Sequence, residues 1–163
     1  MLDKVKSIKK ISNKSKRYDI GVEINNNFYA NKILVHNCQN LASEYETWKQ
    51  SNVDFYITEK LDGCLDGDSI VETENGNMTI RDMCETGFNG KVKSYNVETK
   101  CVEYRKVTHV FINTPTTHQW FNITLENGTE IKLTGNHRVW LPELLCWRRV
   151  DALRGDEVFL LKN

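Results

Sequence analysis

Turn signals interrupt this chain too often for it to hold long helices. Residues 25–27 (three asparagines), 74–76, 87–90 and 127–128 are rich in Asn and Gly, the residues that tolerate turn conformations. Between them run short stretches of β-branched and aromatic side chains. Tyr18, Ile20, Val22 and Ile24 alternate with Asp19, Gly21 and Glu23, a period-two strand. Residues 28–35, with Asn31 at a tight turn, read as a further strand folded back on itself. Residues 3–12, with Val5, Ile8 and Ile11 among lysines, fit a strand or an irregular edge. Downstream, strands are predicted over residues 69–73, 77–80, 91–96, 103–112, 119–125 and 130–133, then a one-turn helix over 150–155 and a closing strand over 158–161. The pattern predicts an all-β, compact and strongly twisted domain.

Residues 38–63 stand apart from this pattern. Leu41, Tyr45 and Trp48 lie at helical spacing behind a possible Ser43 cap, and residues 53–58 have strand composition. A segment of 26 residues with one helix and one strand cannot bury a core of its own. Its edges carry chemistry. ILVHNC sets His36 and Asn37 directly before Cys38, and EKLDGC sets Gly63 directly before Cys64. A thiol can attack the carbonyl just before it and exchange amide for thioester. An asparagine amide can attack its own carbonyl and cut the bond that follows. Residues 38–63 therefore read as cargo, and residues 1–37 and 64–163 as the machine that acts on its ends.

Composition narrows the alternatives. No apolar run approaches the roughly 20 residues of a membrane helix, and the Lys-rich start lacks an apolar core behind it, so an intracellular, cytoplasmic protein without membrane contact is expected. Five cysteines, odd in number and without CxxC spacing, argue against a disulfide framework or a metal site. Cys38 and Cys64 must be free thiols, whereas Cys84, Cys101 and Cys146 read as small buried or half-buried side chains. Residues 1–37 carry eight Lys/Arg against three Asp/Glu, and residues 64–163 carry twelve against fourteen. Balances of +5 and −2 suit electrostatically steered association of the two pieces.

The edges resemble the splice junctions of inteins, and three blocks extend the resemblance. CLDGDSIVETENGNMTIRDM is similar to an intein's opening block, TGNHRVW to the internal T-x-x-H block, and RYDIGVEINNNFYANKILVHNC to the two closing blocks. The order is permuted, with the closing fragment (1–37) first, an extein segment (38–63) next and the opening fragment (64–163) last, as if two split-intein pieces flanked a short insert. The resemblance implies the Hint (hedgehog/intein) horseshoe-like β fold, formed by residues 64–163 and completed by a 1–37 hairpin, with a short α/β extein insert. It implies that Cys64 forms the first thioester, with His137 protonating the departing nitrogen and the hydroxyl or backbone of Thr134 holding the oxyanion. Asp19 would assist Cys38, which takes the acyl group. Asn37 would then cyclise with help from His36. Many relatives have a histidine where this chain has residues 25–27, so the last step is expected to lean on His36 or His118.

The insert has a resemblance of its own. ITEKLDG is similar to the K-x-D-G motif of ATP-dependent RNA and DNA ligases, which implies Lys60 as a nucleophile that becomes adenylylated. Splicing needs no cofactor. ATP and Mg, and nucleic acid as a partner, would matter only to an assembled ligase. The expected partners are complementary intein fragments, either within this chain, giving a cyclic 38–63 peptide, or on other chains, joining ligase exons. The competing class is a ligase fragment with a β-rich nucleic-acid-binding tail, which the −2 balance of residues 64–163 disfavours. A third is a scaffold without chemistry, excluded only if the junctions react.

Overall fold

The computed structural model describes residues 1–37, 63–114, 119–154 and 158–160, with residues 158 and 160 described by backbone alone. The helix and strand expected within 38–63 lie outside the described residues, as do Cys38, Lys60 and His118. Strands dominate. One sheet runs β10 (Glu130–Thr134), β9 (Trp120–Leu125), β1 (Leu2–Ile11) and β13 (Val158–Leu160). The other runs β12 (Cys146–Arg149), β11 (Arg138–Leu141), β4 (Ile33–His36), β3 (Asn27–Ala30), β5 (Ile70–Thr73), β7 (Lys91–Asn96), β8 (Cys101–Asn113) and β2 (Arg17–Val22), with β6 (Gly76–Thr79) paired to β5. Leu65 links the two sheets by bridging Tyr18 of β2 on one side and Leu133 of β10 on the other. The linked sheets curl into a half-barrel.

Residues 1–37 supply more than a hairpin. Their four strands enter both sheets: β1 lies between β9 and β13, β3 and β4 fill the gap between β5 and β11, and β2 pairs with β8. The two-residue turn Asn31–Lys32 between β3 and β4 has positive φ at both positions (46° and 68°), the handedness that matches strand twist. The two pieces share one hydrophobic core. Ile20, Phe28, Ile33 and Val35 are fully buried against Leu65, Val71, Ile123 and Val139. Burial of each such side chain contributes about 1.5–3 kcal/mol, so neither piece retains this core without the other.

Several local expectations need correction. The alternation from Tyr18 does not leave a wet face, because Tyr18, Asp19, Ile20, Gly21 and Val22 are all buried. Ile24 is outside the strand, 69% exposed and at φ 63°. Residues 77–80 do not form one strand. β6 ends at Thr79, whose side chain caps a helix, α1 (Ile80–Thr86), by accepting the Asp82 N–H, and Gly87 closes that helix in the left-handed conformation. At seven residues α1 is too short to show a helical period. The β11–β12 hairpin was not expected, since Arg138–Leu141 had been read only as motif. The predicted helix at 150–155 is a single 3-10 turn over Val150–Ala152. Cys84 is buried and Cys146 half-buried as expected, but Cys101 is exposed at the start of β8.

Candidate active site

The T-x-x-H spacing has a direct structural cause. Residues 134–137 form a β-turn in which the His137 N–H donates to the Thr134 carbonyl at 3.0 Å. Turn residues i and i+3 lie side by side, so a strand's last threonine and the histidine after the turn become neighbours. The turn is pinned from outside. The Gly135 N–H donates to Gln119 O, the His137 carbonyl accepts from the Val150 N–H at 2.8 Å, and the Gly135 carbonyl accepts from the Asp151 N–H. Thr134 and His137 are both buried.

Cys64 lies between two strands that come from different pieces. Leu65 opposes Tyr18 and Leu133 in antiparallel bridges, so one residue back the register sets Cys64 between Asp19 and Thr134. The Cys64 N–H donates to Thr134 Oγ1 at 2.8 Å, and the Cys64 carbonyl accepts from the Thr134 N–H at 3.0 Å. The Thr134 hydroxyl proton has its best acceptor in Asn136 Oδ1, at 2.7 Å. Asn113 Nδ2 lies 3.5 Å from Cys64 Sγ, a donor that the sequence reading missed.

Asp19 was expected to activate or orient a thiol, and it is fully buried. Its Oδ1 accepts from the Ile20 N–H at 2.8 Å, and its carbonyl accepts from Cys84 Sγ at 3.4 Å. Burial pushes the Cys84 thiol up to about 11, so it stays protonated at neutral pH and does not compete with Cys64.

The other junction approaches the same turn. Val139, two residues after His137, pairs with Val35, two residues before Asn37, so both residues lie at the same end of the β4–β11 pair. Asn37 is 3% exposed, its N–H donates to Asn26 O at 3.0 Å, and its Nδ2 donates to Val22 O at 3.2 Å. His36 Nδ1 is 2.7 Å from the Asn37 carbonyl oxygen. That oxygen has no proton to give, so Nδ1 must carry one, and the ring polarises the Asn37 carbonyl. The ring is held edge-on to Trp147, 5.0 Å between centroids, and Trp147 in turn packs on Trp140.

The asparagine run 25–27, first read as turn chemistry, ties the pieces together. Asn27 Oδ1 accepts from Ser94 Oγ and from the Tyr95 N–H, both at 2.9 Å, while its Nδ2 donates to Tyr95 O at 2.8 Å. Asn25 Nδ2 reaches Ser94 Oγ and Glu103 Oε1. Asn31 does the same at the hairpin turn, accepting from the Ile70 N–H at 2.7 Å and donating to Glu130 O at 2.8 Å.

Among the described residues no group of three His, Cys, Asp or Glu side chains is arranged to hold a metal, and no helix is long and apolar enough to cross a membrane. No protein-family model and no curated protein matches this chain.

Proposed function

We propose that the chain is a self-splicing protein of the Hint fold, in which residues 1–37 and 64–163 act as complementary intein pieces on the segment between them. The observation that carries this reading is the convergence of both junctions on one turn. Cys64 is hydrogen-bonded to Thr134 at the start of the turn, and Val35, two residues before Asn37, pairs with Val139, two residues after His137 at its end.

Cys64 Sγ attacks the Gly63 carbonyl carbon, the Gly63–Cys64 amide breaks, and the freed nitrogen takes a proton with His137 as donor. The Thr134 hydroxyl accepts from that same N–H, so it orients the leaving nitrogen, a different task from the oxyanion contact expected of it. The Cys38 thiol then displaces Cys64 from the thioester. Asn37 Nδ2 attacks its own carbonyl carbon while His36 Nδ1–H stabilises the developing oxyanion. The bond to Cys38 breaks, residue 37 becomes a succinimide, and an S-to-N shift joins Gly63 to Cys38 by an ordinary amide. Each step is intramolecular, which removes most of the entropic barrier.

The interleaving of the two pieces in one core favours closure within a single chain. The product would be a backbone-cyclic peptide of residues 38–63. A ligase fragment with an independent β tail fits less well, because the β region is completed by residues 1–37. The ligase resemblance, with Lys60 as nucleophile, rests on residues outside the described structure. ATP and Mg would serve it only once those residues are joined to further ligase sequence.

Incubation of the purified protein followed by intact-mass analysis tests the reading. The expected products are residues 1–37 one water short of a free C-terminus, residues 64–163 beginning at Cys64, and residues 38–63 one water lighter than the linear peptide. Residues 38–63 joined to sequence from another chain would indicate splicing in trans. A stable precursor in the presence of thiol, with or without added partner fragments, would overturn the proposal.

A further inference from the structure

Gly63 differs from the other described glycines in what a side chain there would meet. At Gly76, Gly87 and Gly128 an added Cβ has nothing within 4 Å. Those glycines serve positive-φ turns. At Gly67 and Gly90 an added Cβ would meet the ends of long side chains, Arg81 and Phe88 among them. At Gly63 it would lie 2.1 Å from His137 Cα, 2.2 Å from His137 N and 2.3 Å from His137 Cβ. Two of these three atoms are backbone, so no change of the histidine side chain makes room. The backbone itself is fixed by the hydrogen bonds from His137 N to Thr134 O and from Val150 N to His137 O.

We propose that this turn is a steric gate on the acyl donor, so that the site processes only segments whose last residue before Cys64 is glycine. The inference rests on the splicing reading and adds the class of cargo to it. A larger residue has two ways to fit, and each is damaging. If residue 63 lifts off the turn, the scissile carbonyl leaves Cys64, whose own backbone stays bonded to Thr134. If the turn retreats, His137 leaves the departing nitrogen. A displacement of about 1 Å at a reacting centre costs on the order of 10²-fold in rate, and the overlap here demands at least that much.

The experiment isolates the first step. In an Asn37→Ala background, which cannot complete splicing, thiol-induced release of residues 64–163 is followed for Gly63 and for Gly63→Ala, Gly63→Ser and Gly63→Val. Release is expected to fall on the order of 10²-fold for alanine and further for valine. Leu61→Ala, two residues away, is expected to stay within about threefold of the parent. Thermal melts of the same changes in an unreactive Cys64→Ala background separate a local clash from a global one. Retained melting with lost release supports the gate. Loss of the cooperative melt by Gly63→Ala but not by Leu61→Ala supports it too, since the cost then belongs to the methyl added at residue 63 and not to alanine as such. Release by Gly63→Ala within threefold of the parent overturns it. Failure of the glycine parent itself to release anything would overturn the splicing reading instead.

Discussion

Thr134 meets Cys64 through two groups, its N–H donating to the cysteine carbonyl and its Oγ1 accepting from the cysteine N–H, while its own carbonyl accepts from the His137 N–H. Thr134→Ser keeps the hydroxyl and should keep most of the rate of thioester formation. Thr134→Val leaves a buried N–H without its acceptor, a loss of about 1–3 kcal/mol, and should slow thiol-induced release of residues 64–163 by roughly 10- to 100-fold. Equal rates for serine and valine would remove the hydroxyl from the step. At the other junction Trp147 positions His36. Trp147→Leu should slow cleavage after Asn37 several-fold while leaving thioester formation unchanged, and Trp147→Phe should restore much of the loss. Equal slowing of both steps would mean that Trp147 acts only through stability. Much of the site was legible at this scale, because a thiol after a carbonyl, or an asparagine before a scissile bond, is defined by residue type and order. The orientation of Thr134 was not, since it depends on β10 pairing with a residue 70 positions away. Nor were Asn113 and Trp147, whose roles come from tertiary proximity alone.

Individual elements were legible in proportion to their length and the clarity of their period. The β3–β4 hairpin was read from Asn31 because only a few residue types accept the left-handed turn. Asn31 also fastens that turn to both neighbours, through Ile70 and Glu130. Asn31→Ala should therefore destabilise the protein by about 2–4 kcal/mol, combining lost hydrogen bonds with a poor left-handed residue. Urea unfolding in a Cys64→Ala, Asn37→Ala background measures it, and a change below about 0.5 kcal/mol would mean that the fastening is weak. The helix α1 was missed because two turns cannot display a stripe, and its buried residues, Ile80, Met83 and Cys84, resemble a strand end followed by polar sequence. Cys84 on α1 also carries a pH effect. Burial raises its folded value to about 11, above the ordinary 9.0 of a cysteine thiol, so the native state holds its proton after the unfolded chain has lost it. The contribution is fully present below about pH 9 and is lost as pH rises toward about 11. Melting temperature should fall across that window and fall less steeply in Cys84→Ala. Parallel curves would show that the thiol does not titrate in it.

At the scale of the molecule, the mostly β class followed from turn density, while the threading did not. A sequence that places the closing piece first gives no sign that β1 will slot between β9 and β13, because strand order is a long-range property. Threading bears on how the pieces recognise each other. Their contacts include strand ladders, shared core and the asparagine ties, and among the described residues the ion pairs Arg81–Asp68, Lys93–Glu72, Arg105–Glu103 and Arg149–Asp151 lie within residues 64–163. We expect the +5 and −2 balances to act at a distance, before docking. If residues 1–37 and a Cys64→Ala form of residues 64–163 are prepared separately and mixed, salt should slow association and leave dissociation nearly unchanged, since short-range apolar contacts and buried hydrogen bonds are poorly screened. Stopped-flow mixing between low and physiological ionic strength should show the association rate falling several-fold. A dissociation rate that rises by the same factor would locate the electrostatics in the docked interface and contradict the division between steering by charge and holding by strands.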